Sequence, residues 1–329
     1  MNAPIDFVFP QMLSCVEQRR ARPLLGTIVE ISAAGTCADQ VQAAIERAFH
    51  AVATVHALMS YHDADSDVSR INRCAFDADV EVHEHTWRVL SASREISSAS
   101  GGLFDITIAD SLVRLGFLPR HADFSQTNFI QARFQHHSAH GHWRHVTLLP
   151  GNRVRLLRRL RIDVSGIAKG YAVDVAIEAL KDAGMTSGRV NAGGDLRLFG
   201  HVAQNIHVRH PLEPSRHLQL LELSEGAVAT SAGYFNSRSH RGRRITPLIH
   251  PHTGVACGAE RSVTIVAQDC MTADALTKVI HADPAQASGV LARFNARALM
   301  LEPDPVGNGV RLFDTLLQSD APVHAGDGE

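Results

Sequence analysis

The stretch "RIDVSGIAKGYAVDVAIEALKDAG", residues 161 to 184, constrains the fold more than any other part of the chain. It opens as a strand-like run. It then repeats apolar residues at helical steps, Ala172, Val173, Ala176, Ile177 and Leu180, with Gly184 as the stop. Ile162 and Val164 are expected to end a strand, with a helix starting beside Gly166. A strand that runs straight into a helix leaves the first helical N–H groups without intrahelical partners, at the positive end of the dipole. Such a mouth favours anions, phosphates above all. Gly166 and Gly170 let a ligand come close to the main chain, and Lys169 adds a point charge. The pattern is neither a P-loop nor G-x-G-x-x-G, so a purely structural reading of the glycines stays open.

Other elements follow from periodicity. "LLGTIVEI", residues 24 to 31, reads as a strand, and the apolar spacing of Val41, Ile45, Phe49, Val52, Val55 and Met59 predicts a helix over about 39 to 59. "MSYHDADSDVSRIN" reads as polar turn, and a second helix is expected over 84 to 98, broken by "SGGLFD". "HVTLLPGNRVRLL" predicts a hairpin around Pro-Gly-Asn. Strands are expected in "GRVNAGGDLRLFG", "NIHVRHP", "LQLLELSEGAVATS" and "RSVTIVAQD", then a helix from "TADALTKVIH" with Thr272 as N-cap. No repeat or low-complexity linker interrupts the chain, so an N-terminal arm over 1–22 and one α+β domain over 23–329 are expected.

Composition excludes some classes. Of 329 residues 45% are hydrophobic and 20% charged, and no run approaches the roughly 18 apolar residues of a membrane span. A net charge of −2 gives no general attraction to nucleic acid. Local basic runs, "RVRLLRRLR" and "RGRR", read as solvated faces or as phosphate contacts. Five scattered cysteines, Cys15, Cys37, Cys74, Cys257 and Cys270, argue against a disulfide framework. Without a basic leader before an apolar core, a cytoplasmic address is expected. His136, His137, His140, His142 and His145 cluster with no zinc-ligand spacing and read as an exposed loop.

Three further segments carry candidate chemistry. "NAGGD" places a glycine pair between strands, as a bulge or as a close approach to a flat ligand. "ATSAGY" offers the Thr230 and Ser231 hydroxyls, and "LIHPHTG" offers His250 and His252 as candidate proton-transfer imidazoles. Asp274, in the first turn of its helix, is either a metal ligand or a carboxylate on the helix dipole.

The ordered set "LLGT", "SDVSRIN", "SGGLFD", "DVSGIAKGYAVD", "NAGGD", "ATSAGY", "HPHTG" and "TADAL" resembles the ApbE family of flavin transferases, from about Gly26 to Val279. The resemblance implies an elaborated T-fold with a largely antiparallel sheet packed with helices. It implies cleavage of the FAD pyrophosphate and transfer of FMN to a Ser or Thr hydroxyl of an acceptor protein, with AMP released and Mg²⁺ as cofactor. By motif, Leu25, Leu103, Phe104, Asp105, Asp163, Lys169, Thr230 and Ser231 would contact FAD, and Gly166 and Asp274 would hold the metal. Two rival readings accompany this: an FAD pyrophosphatase using water as acceptor, and a non-catalytic FAD-binding protein.

This chain departs from the family pattern in three places. Lys278 stands where a threonine usually follows the ligand aspartate by one turn. Either Thr277 or water then replaces that ligand, or the Lys278 ammonium carries part of the metal's charge. Pro247 stands where the family usually has a transfer histidine, so His250, with His252 as alternate, is expected to act with Asp274 in catalysis. Leu25 replaces a methionine of similar apolar volume, and His62 falls at a position usually held by tyrosine, with Tyr61 adjacent.

Overall fold

The computed structural model describes residues 15–120, 142–209, 213, 217–233, 237–240, 242–258, 260–303, 310–314 and 319–322. Among these, nine strands form one antiparallel sheet in which each strand pairs with the next one in chain order: Val16–Leu24, Thr27–Gly35, Ser187–Ala192, Asp195–Phe199, Gly226–Ala232, Ser262–Ala267, Arg297–Pro303, Val310–Asp314 and Ser319–Pro322. Helices inserted between the second and third strands, and after the sixth, cover the sheet and bury its apolar residues. The architecture is α+β, with smaller antiparallel ribbons at its margins. No described helix is long and apolar enough to cross a membrane.

Two tight turns fix the register at one end of the sheet. Leu24 pairs with Thr27, so Leu25 and Gly26 make a two-residue turn with φ of 55° and 70°, left-handed at both positions as a type I′ hairpin requires. Ala192 pairs with Asp195, which makes Gly193 and Gly194 a second such turn rather than a bulge. A Cβ on Gly193 would lie 2.6 Å from Thr27 Oγ1, so the two turns sit side by side. Val16 to Arg22, expected within an N-terminal arm, form most of the edge strand.

The helix Ala38–Met59 buries the stripe read from its spacing, Val41, Ile45, Phe49, Val52, Val55 and Met59. It packs on the helix Ser165–Asp182, which is enclosed on most sides. Residues 157–164, directly before that second helix, form no strand. Ile162 and Val164 are buried in irregular chain, where Asn72 bonds the Ile162 N–H at 2.8 Å and its carbonyl at 2.9 Å, in place of a neighbouring strand. The polar segment after Met59 holds a short helix, Asp67–Cys74, capped by Ser66. The buried Asp67 carboxylate there accepts from His83 N–H and Thr86 Oγ1.

The helix Cys270–Ala282 crosses Ser165–Asp182 closely. Its cap is Asp269, which accepts from the Thr272 N–H at 2.8 Å, so Thr272 is the capped residue and not the cap. Asp174 accepts from the Cys270 and Met271 N–H groups at 2.8 Å each and pairs with Arg197, tying the helix start to the sheet. Four arginines of the "RVRLLRRLR" segment pair with nearby carboxylates, Arg153 and Arg155 with Asp79, Arg159 with Asp77 and Arg161 with Asp110. His136, His137 and His140 lie outside the described residues, while His142 and His145 sit in a 3₁₀ turn with ring centroids 6.3 Å apart.

Candidate active site

The two hairpin turns, the start of the helix Ser165–Asp182 and one face of the helix Cys270–Ala282 enclose a cavity of about 1310 Å³. That exceeds the roughly 300–1,000 Å³ of an ordinary small-molecule cleft and suits a dinucleotide. Leu25 reaches it from the first hairpin, held at a positive φ that a non-glycine residue adopts only under constraint. Leu103, Phe104 and Asp105 enter from the turn after the helix Glu84–Ala99. Asp163, Gly166 and Lys169 line the helix mouth, and Thr230 and Ser231 close the opposite side from their strand. Every residue expected to contact FAD therefore lines one space.

Four charged side chains form a chain of alternating sign at its floor. The Lys169 ammonium pairs with Asp195, and the Lys278 ammonium pairs with Asp274 Oδ1 and also donates to the Asp274 main-chain carbonyl at 3.0 Å. Both carboxylate side chains are almost fully buried, whereas the two lysines keep a quarter to a third of theirs exposed. Burial alone would raise the Asp274 carboxyl, but the Lys278 and Lys169 ammonium groups outweigh it and hold it below the usual carboxylate range. Asp195 is pushed up to about 6, by burial first and by the Asp274 charge second. Burial would lower Lys169, yet Asp195 and Asp274 raise it above its ordinary value.

Asp274 itself does not line the cavity, because the lysines cover it. Its second oxygen accepts the Gly170 N–H at 3.1 Å. A Cβ on Gly166 would lie 3.3 Å from Lys278 Cε, so the lysine stem fills the space between Gly166 and Asp274. Thr277 is buried and donates to the Asp274 main-chain carbonyl at 2.7 Å. Among the described residues, no group of three His, Cys, Asp or Glu side chains is placed to hold a metal ion. These residues do not fit a magnesium site.

His250 is also absent from the lining, although Ile249 and Pro251 on either side of it are present. Its Nδ1 accepts the His252 N–H at 3.2 Å, and His252 Nε2 donates to the Gly101 carbonyl at 3.2 Å. The two imidazoles thus brace the hairpin formed by Ile249–His250 and Val255–Ala256 against the Gly101–Gly102 turn. The imidazoles that do line the cavity are His62, exposed and close enough to Asp163 to act on its charge, His207, also exposed, and His281.

His281 was not foreseen. Its position three residues after Lys278 puts it on the same helix face, a spacing visible in "TKVIH". Its Nε2 donates to the Ser231 carbonyl at 3.0 Å, which fixes the strand that carries Thr230 and Ser231. Burial, helped by the nearby Lys278 and Arg261 charges and opposed by that hydrogen bond, lowers its pKa to about 4. The unfolded chain protonates this histidine near 6.5, so stability present above that pH is lost as pH falls toward 4. The loss is expected to be about 3 kcal/mol. Unfolding free energies of the wild type and of His281→Gln, each taken at pH 7 and pH 4, check this: the wild type should lose more than the variant by about that amount.

Comparison with known proteins places this geometry. The family model described as the ApbE family matches residues 25–300. A Vibrio cholerae protein named FAD:protein FMN transferase is 30% identical over 226 residues, covering 66% of this chain and 66% of that protein's length. An Escherichia coli protein of the same name is 24% identical over 255 residues, covering 74% and 72%. The crystal structure of the ApbE protein of Thermotoga maritima superposes with a TM-score of 0.77 at 27% identity, over 90% of this chain and 96% of that one.

Proposed function

Because this chain belongs to the ApbE family, we propose that it is an FAD:protein FMN transferase that joins FMN to a Ser or Thr hydroxyl of an acceptor protein. One observation carries the proposal: the residues expected to touch FAD converge on a single cavity of dinucleotide size, with two ammonium groups and a helix N-terminus at its floor. Lys169 and Lys278 face the pyrophosphate there, and the N-terminal dipole adds to their attraction. Thr230, Ser231 and Asp105 supply polar partners for the rest of the nucleotide, and Leu25, Leu103 and Phe104 its apolar cover.

In the reaction the acceptor hydroxyl oxygen attacks the FMN phosphorus. The new P–O bond forms as the bond to AMP breaks, and AMP leaves with the electron pair. The two lysines hold the phosphates in position and offset the charge that develops on the leaving phosphate. The hydroxyl proton passes to His62, the exposed imidazole of the cavity wall that lies near Asp163 at the helix mouth. The hydrogen bond already made by His250 Nδ1 leaves that histidine poorly suited to accept it.

The test is mass analysis after incubation with FAD and a candidate acceptor protein. The proposal expects an acceptor heavier by one FMN with stoichiometric AMP. Free FMN with AMP and no adduct would make the protein a pyrophosphatase, and intact FAD would make it a binding protein. His62→Gln is expected to lower the transfer rate by about 10²-fold with FAD affinity unchanged. His250→Ala should leave the rate within about twofold if His62 is the base.

A further inference from the structure

We infer that Lys278 takes the place of a divalent cation in this chain, so that the flavin nucleotide is bound and cleaved on ammonium charge alone. The inference rests on FAD being the ligand of the cavity. Three observations carry it beyond that reading.

The first is occupancy. The Lys278 stem runs over Gly166, where a Cβ would lie 3.3 Å from Cε, and its ammonium lies on Asp274 Oδ1 and on the Asp274 carbonyl. The second is the scarcity of ligands beside it. Lys278 holds Asp274 Oδ1, and among the described residues no group of three His, Cys, Asp or Glu side chains is placed to hold a metal ion. A hard divalent ion needs about six oxygen ligands, and at Asp274 it would have to displace the Lys278 ammonium to gain the Oδ1 oxygen.

The third is charge. Lys169 and Lys278 both line the cavity and bring two ammonium groups to its floor, where each can meet a phosphate oxygen. Each ammonium is held by a buried carboxylate, so it is positioned before the nucleotide arrives. Each also keeps part of its surface open to a phosphate oxygen, with three N–H donors to share between partners. An ammonium fixed to the chain is not removed by chelators, as a divalent ion is.

The experiment uses the full-length protein stripped with excess EDTA. FAD affinity is read from flavin fluorescence and AMP release from chromatography, in EDTA and again in excess Mg²⁺. The expected result is affinity and AMP release equal within about twofold in the two media. Lys278→Met should weaken FAD binding by about 10- to 100-fold with no recovery in Mg²⁺, the loss of a charge-assisted contact. Lys278→Thr vacates the space beside Gly166 and offers a hydroxyl one turn beyond Asp274, so its FAD binding should be weak in EDTA and recover in Mg²⁺. Wild-type binding or AMP release that collapses in EDTA and returns with Mg²⁺ overturns the inference and leaves the flavin reading intact. Wild-type protein that binds FAD in neither medium overturns both. The wild-type arms do not depend on any variant folding.

Discussion

Gly170→Ala is expected to destabilise the protein by more than about 3 kcal/mol, against the normal preference for alanine in helices. In an isolated helix the same change would stabilise by roughly 0.5–1 kcal/mol, since glycine loses the most backbone freedom on folding. Here an added Cβ would lie 2.2 Å from the Cys270 carbonyl oxygen, 2.6 Å from its carbon and 2.9 Å from Asp274 Cβ. None of these belongs to the far end of a flexible side chain, so the two helices must separate. Separation breaks the Gly170 N–H bond to Asp274 Oδ2 and moves the carboxylate that positions Lys278. Denaturant unfolding measures the effect. Equal or greater stability in the alanine variant would mean that the two helices do not meet at this glycine.

Lys169→Met is expected to reduce FMN transfer by about 10²- to 10³-fold, the range seen when one preorganised donor to a developing charge is removed. It should also cost about 3 kcal/mol of stability, because it leaves the buried Asp195 carboxylate beside Asp274 without its cation. Asp195 then escapes the penalty only by taking a proton, so the variant should regain stability as pH falls below neutral. The two effects can be separated. Adding Asp195→Asn removes the stranded charge and should restore most of the lost stability, yet transfer should stay low because the ammonium is still missing. A double variant that recovers both would make the lysine a structural partner of Asp195 and nothing more.

The helices that bury one face were legible because their apolar spacing is regular, as in Ala38–Met59 and Glu84–Ala99. The hairpins were legible where glycine pairs or Pro-Gly-Asn mark a turn, though "NAGGD" left bulge and turn unresolved until register was known. Tertiary partners hid other elements. Asn72 supplies from ninety residues away the bonds that a strand neighbour would have given Ile162, so a strand-like pattern folds as irregular chain. The helix Asp67–Cys74 is polar and short, and it is anchored by the buried bonds of Asp67, which no periodicity signals.

The site divides in the same way. Residues carried on motif glycines and their neighbours, such as Leu25, Phe104 and Lys169, fell into the cavity as expected. Asp274 lies next to the site, but its partner Lys278 faces the cavity in its stead. That spacing of four residues on a helix was visible in the sequence; what it meant depended on how closely Gly166 packs. His250 fell outside the lining because histidines two apart in a tight turn bond to each other and to the Gly101 carbonyl.

A crystal structure of the protein grown with FAD in excess chelator tests the central claim most directly. The account predicts both phosphates at the mouth of the helix Ser165–Asp182, within hydrogen-bond reach of Lys169 Nζ and Lys278 Nζ, with no metal ion between Gly166 and Asp274. A nucleotide bound outside this cavity, or phosphates that leave both ammonium groups facing water, would contradict it.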